Sequence, residues 1–109
     1  MKEIKFTRLE MEAIVKYLGA STRDDLIKIA DCTDKERMFI YYFFNKLDDY
    51  LVGHLSEIRA KRSELRAIIK YIGKSSSTTE QEIAKCTFDE CTHIKNFWSK
   101  LNNAFEKYC

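Results

Sequence analysis

Laid against itself at an offset of 54 residues, the chain aligns without a gap. AIVKYLG (13–19) falls on AIIKYIG (67–73), IADCT (29–33) falls on IAKCT (83–87), and Ile40, Phe43, Lys46 and Leu47 fall on Ile94, Phe97, Lys100 and Leu101. Residues 1–55 against 55–109 share 19 identities, where about three would arise by chance. The pattern predicts an internal duplication, with residues 1–54 and 55–109 folding alike and related by a pseudo-twofold or a simple stack. At 109 residues the two units must pack as one globule, and a chain this size buries roughly two thirds of its unfolded surface without staples.

Within each unit the apolar period is helical. Met11, Ile14, Val15 and Leu18 stand at i, i+3, i+4, i+7, matched by Leu65, Ile68, Ile69 and Ile72. Thr7 with Glu10 makes a capping box, and Gly19 and Gly73 read as the stops. A second helix is expected from Thr22 to about Asp31 and from Thr78 to about Lys85. A third begins near Asp34 or Phe88, with buried stripes Ile40, Phe43, Leu47, Tyr50 and Ile94, Phe97, Leu101, Phe105. No stretch alternates as a strand does, so the fold class expected is all-α, two tandem three-helix units. The segment 54–64, HLSEIRAKRSE, is also helix-friendly, which predicts a nearly continuous helix between the units, kinked at most at Gly53.

The second and third helices of each unit resemble a helix-turn-helix. STTEQEIAKCTFDECTHIKNFWSKL (77–101) is similar to that family's T-x-x-E-I-A, turn and amphipathic reading helix. Ala84 is the small residue between the helices, and Ile94 and Phe97 are the apolar positions of the reading helix. The first unit repeats this with Ile29, Ala30, Ile40 and Phe43. Asp34 and Phe88 stand where the family usually has a turn glycine, and no wing follows. The resemblance implies that Thr92, Lys95, Asn96 and Ser99, with His93 beside them, face outward towards base edges and phosphates.

Charge adds to that implication. Arg59, Lys61, Arg62, Arg66, Lys70 and Lys74 face one acid, Glu64, and form the chain's basic stripe. The run Ser75 to Thr79 precedes a helix start, where free amides can receive a phosphate. Arg59, Arg62, Arg66, Lys70 and Lys74 are therefore the expected phosphate contacts. Double-stranded DNA is the partner this reading expects, with two reading helices roughly 34 Å apart if one chain spans successive major grooves. The first unit points elsewhere. It is net −1 where the second is net +3, and its acids would repel phosphate.

The first unit also carries MFIYYFF (38–44), apolar on every side, which predicts burial all round. The cover would be the other unit, a second copy in a homodimer, or a protein partner. Met38, Phe39, Tyr41, Tyr42 and Phe44 are the candidate protein interface. Two functions follow: a small DNA-binding regulator, or a protein-interaction module (adaptor, anti-repressor or inhibitor) that keeps the scaffold without binding DNA.

Other classes find little support. The longest apolar run is seven residues, against the twenty or so needed to span a bilayer, and the first residues hold no signal core. A cytoplasmic protein without membrane association is expected. Cys32, Cys86, Cys91 and Cys109 read as free, buried thiols. C-x4-C-x-H at Cys86, Cys91 and His93 lacks a fourth ligand, so no metal is expected. No triad, glycine-rich phosphate loop or H-E-x-x-H appears, so neither catalysis, a cofactor nor a small-molecule substrate is expected.

Overall fold

A computed structural model describes the backbone of residues 5–108 and the side chains of residues 5–106. Among them every regular element is a helix. They are α1 (Arg8–Ala20), α2 (Arg23–Ala30), α3 (Asp34–Leu51), α4 (Arg62–Lys74), α5 (Ser77–Ala84) and α6 (Phe88–Tyr108). Sequence-local chemistry starts each one. Thr7 and Glu10, Thr22 and Asp25, Thr33 and Glu36, and Ser76 and Thr79 close capping boxes on α1, α2, α3 and α5. At the head of α4 the Glu64 carboxylate takes the Lys61 amide at 2.9 Å. The α5 cap is Ser76, so the Ser75 to Thr79 run lies half inside the helix rather than ahead of it.

Helix ends differ from expectation in three places. Gly19 and Gly73 do not stop α1 and α4, which run one residue further, to Ala20 and Lys74, and are capped by Ser21 and Ser75. The glycines serve close packing instead. A Cβ at Gly73 would sit 3.0 Å from Trp98 Nε1, and one at Gly19 would sit 3.3 Å from the Phe44 ring. The left-handed turn residues are Asp31 (φ 50°) and Lys85 (φ 53°), not Asp34 and Phe88, which already belong to α3 and α6. The two halves are also not joined by a continuous helix. Gly53, at φ +89°, lets the His54 amide reach Asp49 O at 2.9 Å while its own amide reaches Tyr50 O at 3.2 Å. That pair of bonds is a Schellman stop, and residues 52–61 cross to α4 without regular structure.

The most extensive helix packing crosses between the halves: α1 lies on α6, and α3 lies on α4. Helices α2 and α5 lean on the opposite half too, against α4 and α1 respectively. The core is continuous, with Ile14, Tyr17, Leu47, Ile68, Tyr71, Ile94, Phe97 and Leu101 almost wholly buried. At about 1.5–3 kcal/mol per large apolar side chain, this shared core is the main stabilising term.

Polar contacts between the halves come in sets spaced by 54 residues. Lys100 Nζ meets Glu10 at 2.7 Å and Lys46 Nζ meets Glu64 at 2.8 Å. Lys16 meets Glu90 at 2.8 Å and Lys70 meets Glu36 at 2.9 Å. Tyr17 Oη donates to Ser75 Oγ at 2.7 Å, and Tyr71 Oη donates to Ser21 Oγ at 2.8 Å. The two tyrosine rings stack at 5.5 Å. This is the reciprocity of an isologous interface, where a contact from i to j is returned from j to i, set within one chain.

Candidate functional surface

Helix α6 buries Ile94, Phe97 and Leu101, so residues on its other side are forced outward together. Thr92, Lys95 and Asn96 are exposed and Ser99 is half-buried, forming one stripe at i, i+3, i+4, i+7. Thr92 Oγ1 is turned back to Phe88 O at 3.1 Å, which leaves Lys95 and Asn96 the freer donors. His93 is half-buried beside them.

The basic stripe does not present its charges as one open row. Arg59 donates to Glu57 at 2.7 Å. Lys70 is tied to Glu36 and to Asp31 O, at 2.9 and 3.3 Å, and the Glu36 carboxylate raises its pKa above the ordinary lysine value. Arg62 and Arg66 lie over the Phe105 ring at 5.4 and 5.7 Å, a cation–π arrangement that holds both guanidinium groups along α4. Lys74 is exposed at the last residue of α4.

In the first half the expected burial of residues 38–44 is not what the fold does. Ile40 and Phe43 are buried, and Phe39 and Phe44 are half-buried, Phe44 with its ring against Gly19. Met38, Tyr41 and Tyr42 are 42%, 61% and 44% exposed. The reason is geometric. Helix α3 is flanked by α1 and α4, which covers two sides, and residues 38, 41, 42 and 45 fall on the third. The Tyr41 and Tyr42 rings lie 6.5 Å apart. Nearby charge is mixed: Lys35 is exposed, and Asp34 is paired with Arg37.

A groove of about 460 Å³ opens between the end of α4, the head of α5 and the start of α6. Ile72, Ile94 and Trp98 form its apolar walls, Ser75 to Ser77 its lip, and Glu80, Cys91 and Lys95 its functional groups. Glu80 is 5% exposed. Burial pushes its carboxyl above the usual range, against the smaller opposing pulls of the Cys91 thiol and the Lys95 charge. The Cys91 thiol is pushed up to about 11 by burial and by Glu80 beside it. Trp98 Nε1 donates to Ile69 O at 2.9 Å, which fixes the indole as a wall.

Thus Thr92, Lys95 and the lip of the Ser75 run share one groove, while Arg59, Arg62 and Arg66 sit elsewhere along α4 and its approach. Cys32, Cys86 and Cys91 are buried free thiols; Cys109 and the Tyr108 side chain lie outside the described residues. Sequence reasoning missed the buried roles of Glu10, Glu64, Tyr17, Tyr71 and Glu80. A usable signal existed for the first four, since Glu, Tyr and Lys recur at the 54-residue offset amid core positions.

The described chain measures 32 × 28 × 27 Å. Its longest dimension falls short of the roughly 34 Å that separates successive major grooves on one face of a duplex. Comparison with protein-family models, with curated proteins and with solved structures finds no match.

Proposed function

We propose that the chain is a protein-interaction module on a helix-turn-helix-like scaffold, docking through Met38, Tyr41 and Tyr42. The observation that carries this reading is the exposure of those three large side chains on a helix whose other faces are covered. Tyr and Met are enriched at interface centres. Two further facts support it. Lys70 and Arg59 are engaged by internal acids, and the described body is 32 Å along its longest axis, against the roughly 34 Å between successive major grooves. The reciprocal contacts support reading the chain as two copies of one helical trio fused head to tail. The first copy then diverged towards an aromatic docking face.

DNA binding is the second reading, favoured by the exposed row Thr92, Lys95 and Asn96. It would use one reading helix per chain, or a homodimer, with Arg62, Arg66 and Lys74 on phosphates. The two readings separate cleanly. Binders panned from a display library should be lost on Tyr41→Ser/Tyr42→Ser and kept on Lys95→Glu if the aromatic face is the site. A low-salt gel shift at micromolar protein that retains duplex fragments, is abolished by Lys95→Glu and ignores the tyrosine variant overturns the proposal.

A further inference from the structure

We propose that the groove between α4, α5 and α6 is a binding site for a primary alkylammonium group, with Glu80 as its counter-charge. Among the described residues three glutamates are buried: Glu10, Glu64 and Glu80. Two have a lysine of the opposite half on them, Lys100 at 2.7 Å and Lys46 at 2.8 Å. Glu80 has no ammonium or guanidinium within ion-pair distance among the described residues; its neighbour is the Cys91 thiol. It is also the one of the three that lines this groove. An ionised carboxylate buried without a cation is costly, and burial raises the pKa of this acid above the ordinary carboxylate value. A cation arriving from outside supplies what Lys100 and Lys46 supply at the other two sites.

The rest of the groove selects the kind of cation. Ile72, Ile94 and Trp98 offer apolar surface to an alkyl stem. A divalent metal ion is disfavoured, since it needs several oxygen ligands and the Cys91 thiol stays protonated near neutrality. At the 54-residue offset the first half has Leu26 for Glu80, Arg37 for Cys91 and Met38 for Thr92. Arg37 there is mostly buried and donates to Cys32 O at 2.8 Å. The smaller Cys91 and the acid at 80 are therefore features of the second half alone. Lys95 lies at the exposed rim, where water screens it; its like charge weakens the site and so fixes the sign of a test.

Trp98 is the chain's single tryptophan and lines the groove, so its fluorescence reports occupancy. The full chain is titrated with n-butylammonium chloride and, in a second arm, with acetyl-lysine methylamide; n-butanol is the neutral control. A saturable change with half-saturation in roughly the millimolar range is expected for a ligand of so few atoms. Glu80→Gln should weaken it at least about tenfold, and Lys95→Met should strengthen it about two- to threefold. Saturation by butylammonium identifies a free amine as a sufficient ligand, and saturation by the lysine amide alone identifies a partner's side chain; each supports the site. Should Glu80→Gln fail to fold, the Glu80 carboxyl carbon resonance of the wild-type chain, shifting with added amine, replaces it. Absence of a saturable change in both arms overturns the proposal. So do equal binding of n-butanol, an unchanged response in Glu80→Gln, or weakening by Lys95→Met.

Discussion

Replacing Lys100 with methionine keeps most of the stem that packs on α1 and removes only the ammonium. In the wild type that group donates to Glu10 Oε1 at 2.7 Å and to Lys5 O at 3.3 Å. Glu10 is buried while Lys100 is about a third exposed. Stranding a fully buried charge costs about 3–5 kcal/mol, and solvent reaching the vacated position lowers that to about 2–3 kcal/mol. For a chain of 109 residues each kcal/mol moves the melting temperature by about 4 °C, so a fall of roughly 8–12 °C is expected at pH 7. The reciprocal variant Lys46→Met strands Glu64 in the same way, and the two losses should agree within about 1 kcal/mol. Changing both partners, Lys100→Met with Glu10→Met, should recover most of the loss, because an apolar pair replaces a buried ionic one at little cost. Acidity provides an internal check. Burial pushes the Glu10 carboxyl up, but Lys100 and the Thr7 amide outweigh it and leave the folded value below 4.5. Its contribution is therefore present above pH 4.5 and lost as pH falls through the lowered folded value, so the gap between wild type and Lys100→Met should close in acid. Urea unfolding followed by circular dichroism measures both. A loss under about 0.5 kcal/mol at pH 7, or a gap that stays constant into acid, refutes the reasoning.

Four further outcomes are expected. Gly73→Ala gains helix propensity but drives a Cβ to 3.0 Å from Trp98 Nε1 and threatens its bond to Ile69 O; it should destabilise by about 1 kcal/mol and shift tryptophan emission. Gly19→Ala meets only the yielding edge of Phe44 and should be neutral or stabilising by up to about 0.5 kcal/mol in the same melts. Lys85→Gly relieves a left-handed backbone at φ 53° and should raise stability by about 0.5–1 kcal/mol in urea titrations. In a Cys109→Ser chain, the buried thiols of Cys32, Cys86 and Cys91 should react with a disulfide reagent at pH 8 only as fast as the protein opens, and at once in denaturant.

Helix type, starts and core stripes were legible because they rest on local chemistry: threonine caps, apolar spacing and the recurring offset. Long-range consequences were not. Only the approach of the opposite half brings the Tyr17 and Tyr71 hydroxyls to Ser75 and Ser21. Glu10 reads as a capping residue and Glu64 as the one acid among the basic residues 59–74, because the lysines that permit their burial lie 90 and 18 residues away. At 38–44 the error ran the other way. Hydrophobic content predicted burial, but a helix covered on two sides still has a third, and Tyr41 tolerates water there. Gly53 was read as a kink because its Schellman bonds depend on a positive φ that propensity cannot reveal. The outward row of α6 was legible from periodicity, whereas the groove beside it was not, since it needs α4, α5 and α6 together.

The crossing of α1 onto α6 sets an order of events during synthesis. Lys100 follows Glu10 by 90 residues. Helix α1 therefore cannot bury its inner face until α6 has been made. Closure of the six-helix unit waits for its last helix, and a stop within α6 should leave a sticky, degradable polypeptide rather than half a folded one.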